Sequence, residues 1–182
     1  MDDRWFRLGD HGRYPARKIR MPKIELLTEI NAPIEVCFDL ARSIDLHVHS
    51  TSQTNERAVA GVTSGLIDLG DTVTWEATHF FVRQRLTVEI TQYDSPNHFR
   101  DSMLRGAFTH FDHDHYFEPS ETGTKMLDVF EYTSPLGALG RLANLLFVDR
   151  HMRKLLLLRN ESIKTVAESP DADRYLANAN AG

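Results

Sequence analysis

Lys23-Ile24-Glu25-Leu26-Leu27-Thr28-Glu29-Ile30-Asn31-Ala32-Pro33-Ile34-Glu35-Val36-Cys37-Phe38-Asp39-Leu40-Ala41 is the stretch on which the fold turns. Its first eight residues roughly alternate apolar and polar, the mark of a strand with one buried face. Asn31-Ala32-Pro33 breaks that period. Pro is tolerated in the first turn of a helix, and Ile34, Phe38 and Ala41 then fall on one helical face. Ser43 can cap a second short helix that runs through Leu46 and Val48. A strand followed directly by two small helices opens an α+β plan.

Working outward, β-rich stretches occupy roughly Arg57 to Val62, Thr72 to Phe81, Gln84 to Tyr93, Phe99 to Leu104, Ala107 to Phe117 and Lys125 to Thr133. Turn chemistry separates most of them: Thr63-Ser64-Gly65, Gly70-Asp71, Asp94 to Asn97, Arg105-Gly106 and Pro119 to Gly123. Connections this short require antiparallel pairing. From Ser134-Pro135 to about Glu168, Leu139, Leu142, Leu145, Val148, Met152, Leu155, Leu156, Ile163 and Val166 recur every three or four residues, as on an amphipathic helix. Some thirty residues at ~1.5 Å each outrun one strand of the sheet, so a bend or break is expected near Leu146 to Asp149. The plan is α+β: a curved seven-stranded antiparallel sheet around a long C-terminal helix, with two short helices after strand 1. Residues 1–20 read as an N-terminal extension, 21–168 as the domain and 169–182 as a flexible tail.

Composition agrees with one domain. The 182 residues are 41% hydrophobic and 26% charged, with a formal net charge of −5, which gives no general attraction to nucleic acid or an anionic membrane. The longest apolar runs fall far short of the ~20 residues of a spanning helix, and no secretory signal is expected. The sole cysteine, Cys37, lies among apolar neighbours and reads as an inert core residue in a reducing compartment, so a cytoplasmic location is expected.

Side chains alternate along a strand, so His113 and His115 share a face with Phe111 and Phe117. By the same test Trp75 and Ala77 draw His79 inward, Phe99 and Met103 draw Asp101 inward, and Met126, Phe130 and Tyr132 draw Asp128 inward. A lone buried carboxylate costs several kcal/mol, so these acids are expected to pair with the imidazoles. A two-residue loop at Arg105-Gly106 sets Asp101 opposite His110; a three-residue loop sets Asp101 opposite Phe111 and Phe99 opposite His113 and fits the inward set better, as does a bulge near Phe108 to Thr109. Three readings of the cluster stand open: a satisfied packing network, acid–base chemistry with His113 or His115 as base and Asp101 or Asp128 in support, and metal binding by His113 and His115 with His79 or Asp128. His47 and His49, two apart on a helix, point different ways and read as solvated or cavity-mouth residues. Asp112 and Asp114 are expected to solvate the outer face, and Arg150, Arg153, Lys154 and Arg159 to mark the exposed face of the last helix.

The order of elements resembles the helix-grip fold of the SRPBCC or START-like superfamily. The run Phe99-Arg100-Asp101, Arg105-Gly106-Ala107-Phe108, Phe111 to Phe117, Gly123-Thr124, Asp128, Tyr132 and Pro135-Leu136-Gly137 is similar to a bacterial branch with cyclase/dehydrase-like and cell-division-inhibitor-like members. That branch often has Pro where Ala107 stands here. The resemblance implies an internal cavity between sheet and long helix, but not one activity, because unrelated functions share a fold. Physics gives the same cavity independently: a curved sheet touches one helix along a line and leaves space at its open end.

The expected function is therefore binding of an apolar small molecule, lipid-like, polyketide-like or aromatic. Trp75, His79, Phe81, Phe99, Phe111, His113 and Phe130 are its expected contacts. The alternatives are a cyclase/dehydratase-type enzyme working through His113, His115, Asp101 and Asp128, and an interaction module with a filled cavity. No cofactor, metal, nucleic acid or membrane insertion is expected, and a homodimer is compatible with the sequence. Phosphate-cradling Gly loops, the Gly-x-Ser-x-Gly elbow and CxxC pairs are missing, which removes support for nucleotide hydrolysis, dinucleotide redox and serine hydrolysis.

Overall fold

In a computed structural model, which describes residues 22–79, 81–133 and 147–176, the opening stretch folds as its pattern requires. Strand β1 (Lys23–Ile30) buries Ile24, Leu26 and Ile30 and exposes Lys23, Glu25, Leu27 and Glu29. Helix α1 (Ile34–Ala41) starts after Pro33 and buries Cys37, Phe38, Leu40 and Ala41. Helix α2 (Ile44–Ser50) is capped by Ser43, whose Oγ accepts the Leu46 N–H at 3.3 Å.

Six further strands follow: β2 (Arg57–Gly61), β3 (Thr72–His79), β4 (Val82–Asp94), β5 (His98–Arg105), β6 (His110–Ser120) and β7 (Gly123–Thr133). They form one antiparallel sheet in the order β1-β7-β6-β5-β4-β3-β2, so the first strand closes against the last. Register shifts between Ala58 and Ala60, and in β4 against β5, add local bend and twist. Helix α3 (Asp149–Ala167) lies in the concave face, and a short helix α4 (Ala172–Leu176) follows it. At one end the concavity is filled by Phe38 of α1, in edge contact with Tyr93, Phe99 and Phe117 at ring distances of 5.4, 5.6 and 5.6 Å.

Several expectations change. In the β5–β6 hairpin, Asp101 faces His113 and Phe99 faces His115, a register that neither short loop produces. Beyond Ser102, β5 leaves β6 and stays with β4 alone, pairing Met103 with Val88 and Arg105 with Thr87. The hairpin splays, and a Cβ on Gly106 would come within 2.8 Å of the Leu86 and Met103 side chains. Phe81, expected among the ligand contacts, stands fully exposed at the β3–β4 turn with φ of +64°. A tight reversal without glycine forces one residue into the left-handed region, and that residue points away from the core. Asp114 does not simply solvate the outer face: it is 5% exposed, beneath Arg100 and His98. The tail folds further than expected, since Tyr175 and Leu176 pack against the core. The N-terminal extension 1–20, residues 134–146 of the expected long helix, residues 177–182 of the expected tail and the side chain of His79 lie outside the described residues; of the expected bend at Leu146 to Asp149, residues 147–149 are described, and Asp149 opens α3. Among the described residues no helix is long and apolar enough to cross a membrane.

Candidate functional site

Between α3, α2 and strands β3 to β7 lies a cavity of about 390 Å³. This falls within the usual range for small-molecule sites. Its walls are mostly apolar: Trp75, Ala77, Leu86, Val88 and Ile90 on β3 and β4, Phe99 on β5, Phe111 on β6, Phe130 on β7, Phe108 from the splayed hairpin, and Met152, Leu155 and Leu156 from α3. Two polar patches interrupt this lining. In the first, His47 stacks on Trp75 with rings 4.1 Å apart and hydrogen-bonds Glu56 at 3.2 Å. The second comprises Asp101, His113 and Arg159, which also line the wall.

The second patch is the surface of a buried ionic cluster. Cross-strand register assembles it: Asp101 opposite His113, His113 opposite Phe130, and His115 opposite Asp128, all on the concave face. His115 Nε2 hydrogen-bonds Asp101 Oδ2 at 3.2 Å, and His113 Nδ1 lies 3.6 Å from the same oxygen. Asp128 Oδ1 lies 2.6 Å from His115 Nδ1 and 3.2 Å from His113 Nε2, close in distance but off the hydrogen-bond axis, so His113 Nε2 and Asp128 Oδ1 make no hydrogen bond. From α3, Asn160 Nδ2 donates to Asp128 Oδ2 at 2.5 Å. Arg159 donates to the Ala41 carbonyl at 2.6 Å and sets Nη1 3.5 Å from His115 Nδ1 and 3.7 Å from Asp128 Oδ1. Phe99 stacks on the His115 ring at 4.2 Å, separating the cluster from the aromatic plug around Phe38.

Burial dominates the electrostatics. It would drive both carboxyls up, but the His115 hydrogen bond and the nearby cationic groups hold Asp101 below the usual carboxylate range. The facing imidazoles hold Asp128 well below it. Burial and the adjacent His115 push His113 down, toward the neutral ring. For His115, burial and Arg159 oppose the charge, yet Asp128 and Asp101 outweigh them and raise it. Two carboxylates thus face the Arg159 guanidinium and a His115 ring biased toward its charged form.

The sequence-predicted residues divide accordingly. Trp75, Phe99, Phe111, His113, Phe130 and Asp101 line the cavity; His115 and Asp128 sit behind its wall; Phe81 is remote. Arg159 and Asn160 are the residues that sequence reasoning missed. Residue type alone puts Arg159 on the exposed face of the helix, but it is 8% exposed, because it falls between Leu156 and Ile163 on the buried stripe. That phase is visible in the sequence.

Solved structures share this architecture. TTHA0849 from Thermus thermophilus is 20% identical with a TM-score of 0.63, over 80% of this chain and 99% of that one. SA2116 from Staphylococcus aureus is 12% identical with a TM-score of 0.64, over 82% and 94%. Ginseng major latex-like protein 151 from Panax ginseng is 13% identical with a TM-score of 0.58, over 82% and 99%. This chain has the helix-grip fold. No protein-family model and no curated protein matches it. Within the helix-grip fold, α3 is the gripped helix, and both Arg159 and Asn160 project from it onto the sheet.

Proposed function

We propose that this protein binds an apolar small molecule with one polar end, the apolar body against Trp75, Phe99, Phe111, Phe130 and the apolar residues of α3, and the polar end at Asp101, His113 and Arg159. One observation carries the reading: a cavity of about 390 Å³ with a mostly apolar lining into which a buried ionic cluster presents Asp101, His113 and Arg159. An apolar wall favours ligand burial by about 25 cal/mol per Å² removed from water. A fixed set of donors and acceptors at one end then selects orientation. Lipid-like, polyketide-like and aromatic ligands meet this description.

Native mass spectrometry of the purified protein and a thermal-shift panel of fatty acids, flavonoids and polyketide mimics test it. A ligand at 100 times its dissociation constant adds ~2.7 kcal/mol of stability. Ala77→Phe, which fills the cavity from β3, should abolish that shift while leaving the fold intact; ligands that still stabilise the filled variant equally would place binding elsewhere. A second reading, acid–base catalysis of the cyclase/dehydratase type, rests on the position of His113: its imidazole lines the cavity beside Asp101. Turnover of a polyketide mimic that disappears in His113→Gln, with binding retained, would favour it.

A further inference from the structure

Asp101, His113 and His115 present one donor atom each, all within 4.8 Å of one another. The geometry points to a divalent transition-metal site of the two-histidine, one-carboxylate type, taking Zn²⁺ or Fe²⁺, with its open coordination positions toward the cavity. Ligands bonded to zinc at ~2.0–2.1 Å stand about 3.3–3.4 Å apart along the edges of a tetrahedron. The Asp101 Oδ2 to His115 Nε2 separation is 3.2 Å and that to His113 Nδ1 is 3.6 Å, so both edges bracket this value.

The surroundings supply a second, independent argument. A metal-ligating histidine almost always donates its other ring N–H to a carboxylate or carbonyl, which sets tautomer and ring orientation. Here one atom serves both rings: Asp128 Oδ1 lies 2.6 Å from His115 Nδ1 and 3.2 Å from His113 Nε2, the two nitrogens left over once Nε2 and Nδ1 respectively hold the ion. Asn160 holds the other Asp128 oxygen at 2.5 Å. His113 Nε2 and Asp128 Oδ1 are both buried without a hydrogen bond and lie 3.2 Å apart, so reorientation of the His113 ring on a bound ion would let them serve each other as donor and acceptor. With His115 neutral as a ligand, Asp101 and Asp128 together oppose the charges of the ion and of Arg159. Arg159 approaches the Nδ1 edge of His115, opposite the nitrogen that ligates. Among the ligands only Asp101 and His113 reach the cavity wall, so a metal-held water or ligand oxygen would face the cavity there. The three donors stand without the cavity reading; only the open position depends on it.

The test uses tag-free full-length protein stripped with a chelator, then titrated with Zn²⁺ and Co²⁺ and followed by calorimetry, visible absorbance and melting temperature. One ion per chain is expected, with a Co²⁺ band of tetrahedral intensity and a rise in melting temperature that EDTA reverses. Asp101→Asn should weaken binding at least tenfold, and Asp128→Asn about 10- to 100-fold, as loss of an outer-shell carboxylate does. Asp101 is only partly buried, so Asp101→Asn keeps the proposal falsifiable if Asp128→Asn, which removes a buried charge, fails to fold. No stoichiometric ion on the wild-type protein, or affinity unchanged in Asp101→Asn, overturns it. Ligand shifts measured with the chelated protein are scored separately, so failure of either proposal is distinguishable from failure of the other.

Discussion

Asp128 offers the sharpest test of how the cluster stabilises the fold. Its carboxylate has no exposure to water and lies 2.5 Å from Asn160 Nδ2, 2.6 Å from His115 Nδ1, 3.2 Å from His113 Nε2 and 3.7 Å from Arg159 Nη1. Asp128→Ala leaves the Arg159 cation, two imidazoles and an amide facing a void. Removing one partner of a buried ionic set costs about 3–5 kcal/mol, mostly because the surviving charge is stranded. For a chain of this size a kilocalorie shifts the midpoint by about 2–4 °C, so the variant should melt roughly 6–20 °C lower. Urea unfolding of Asp128→Ala, Arg159→Met and the double variant measures this. If a stranded charge is the cause, the double variant should lose at least ~1 kcal/mol less than the sum of the two single losses. A loss below about 1 kcal/mol in Asp128→Ala, or strict additivity, would refute the argument that these groups act as one balanced unit.

Three other perturbations follow from the same reasoning. Burial first, then the Asp149 charge, pushes the Tyr132 phenol up to about 12, while an unfolded chain ionises near the ordinary value of 10. The unfolded state thus binds fewer protons between these values and stability falls as pH rises through that window; the slope should be shallower in Tyr132→Phe when both proteins are unfolded in urea at stepped pH. On the outer face Arg83, Arg57 and Arg85 surround Glu76 and hold its carboxyl down at about 2, so its contribution to stability is present above pH 4.5 and is lost as pH falls toward 2. Carbon-detected NMR should find the Glu76 carboxyl still ionised where the other glutamates have protonated. Phe81→Ser, at the exposed β3–β4 turn, should change stability by no more than about 0.5 kcal/mol and leave ligand binding untouched.

Much of the architecture was legible because it rests on period and punctuation. Pro33 and Ser43 place α1 and α2, and glycine, proline and aspartate mark most of the strand ends. Inward assignment of Asp101, His113, His115 and Asp128 needed only alternation with their apolar neighbours, and the strands carry all four to the concave side. Reading failed where local signals compete with distant ones. The Phe81 turn has no turn-forming residue to announce it, and its apolar side chain mimics core. Charge on Arg159 outweighed its place on the helical stripe, because a basic residue on an amphipathic helix is ordinarily solvated.

Alternation along each strand and recurrence along the last helix therefore determined, without coordinates, which side chains share a buried face. Which of them touch is another matter: cross-strand register depends on how the β5–β6 hairpin splays, a property of packing against β4 and of the loop around Gly106. Tertiary structure alone set Asp101 against His113, brought Arg159 and Asn160 down onto Asp128, and left the cavity open beside them. The physical reason is range: side-chain direction is decided within a few bonds of the backbone, whereas charge balance and empty volume are sums over elements far apart in the chain.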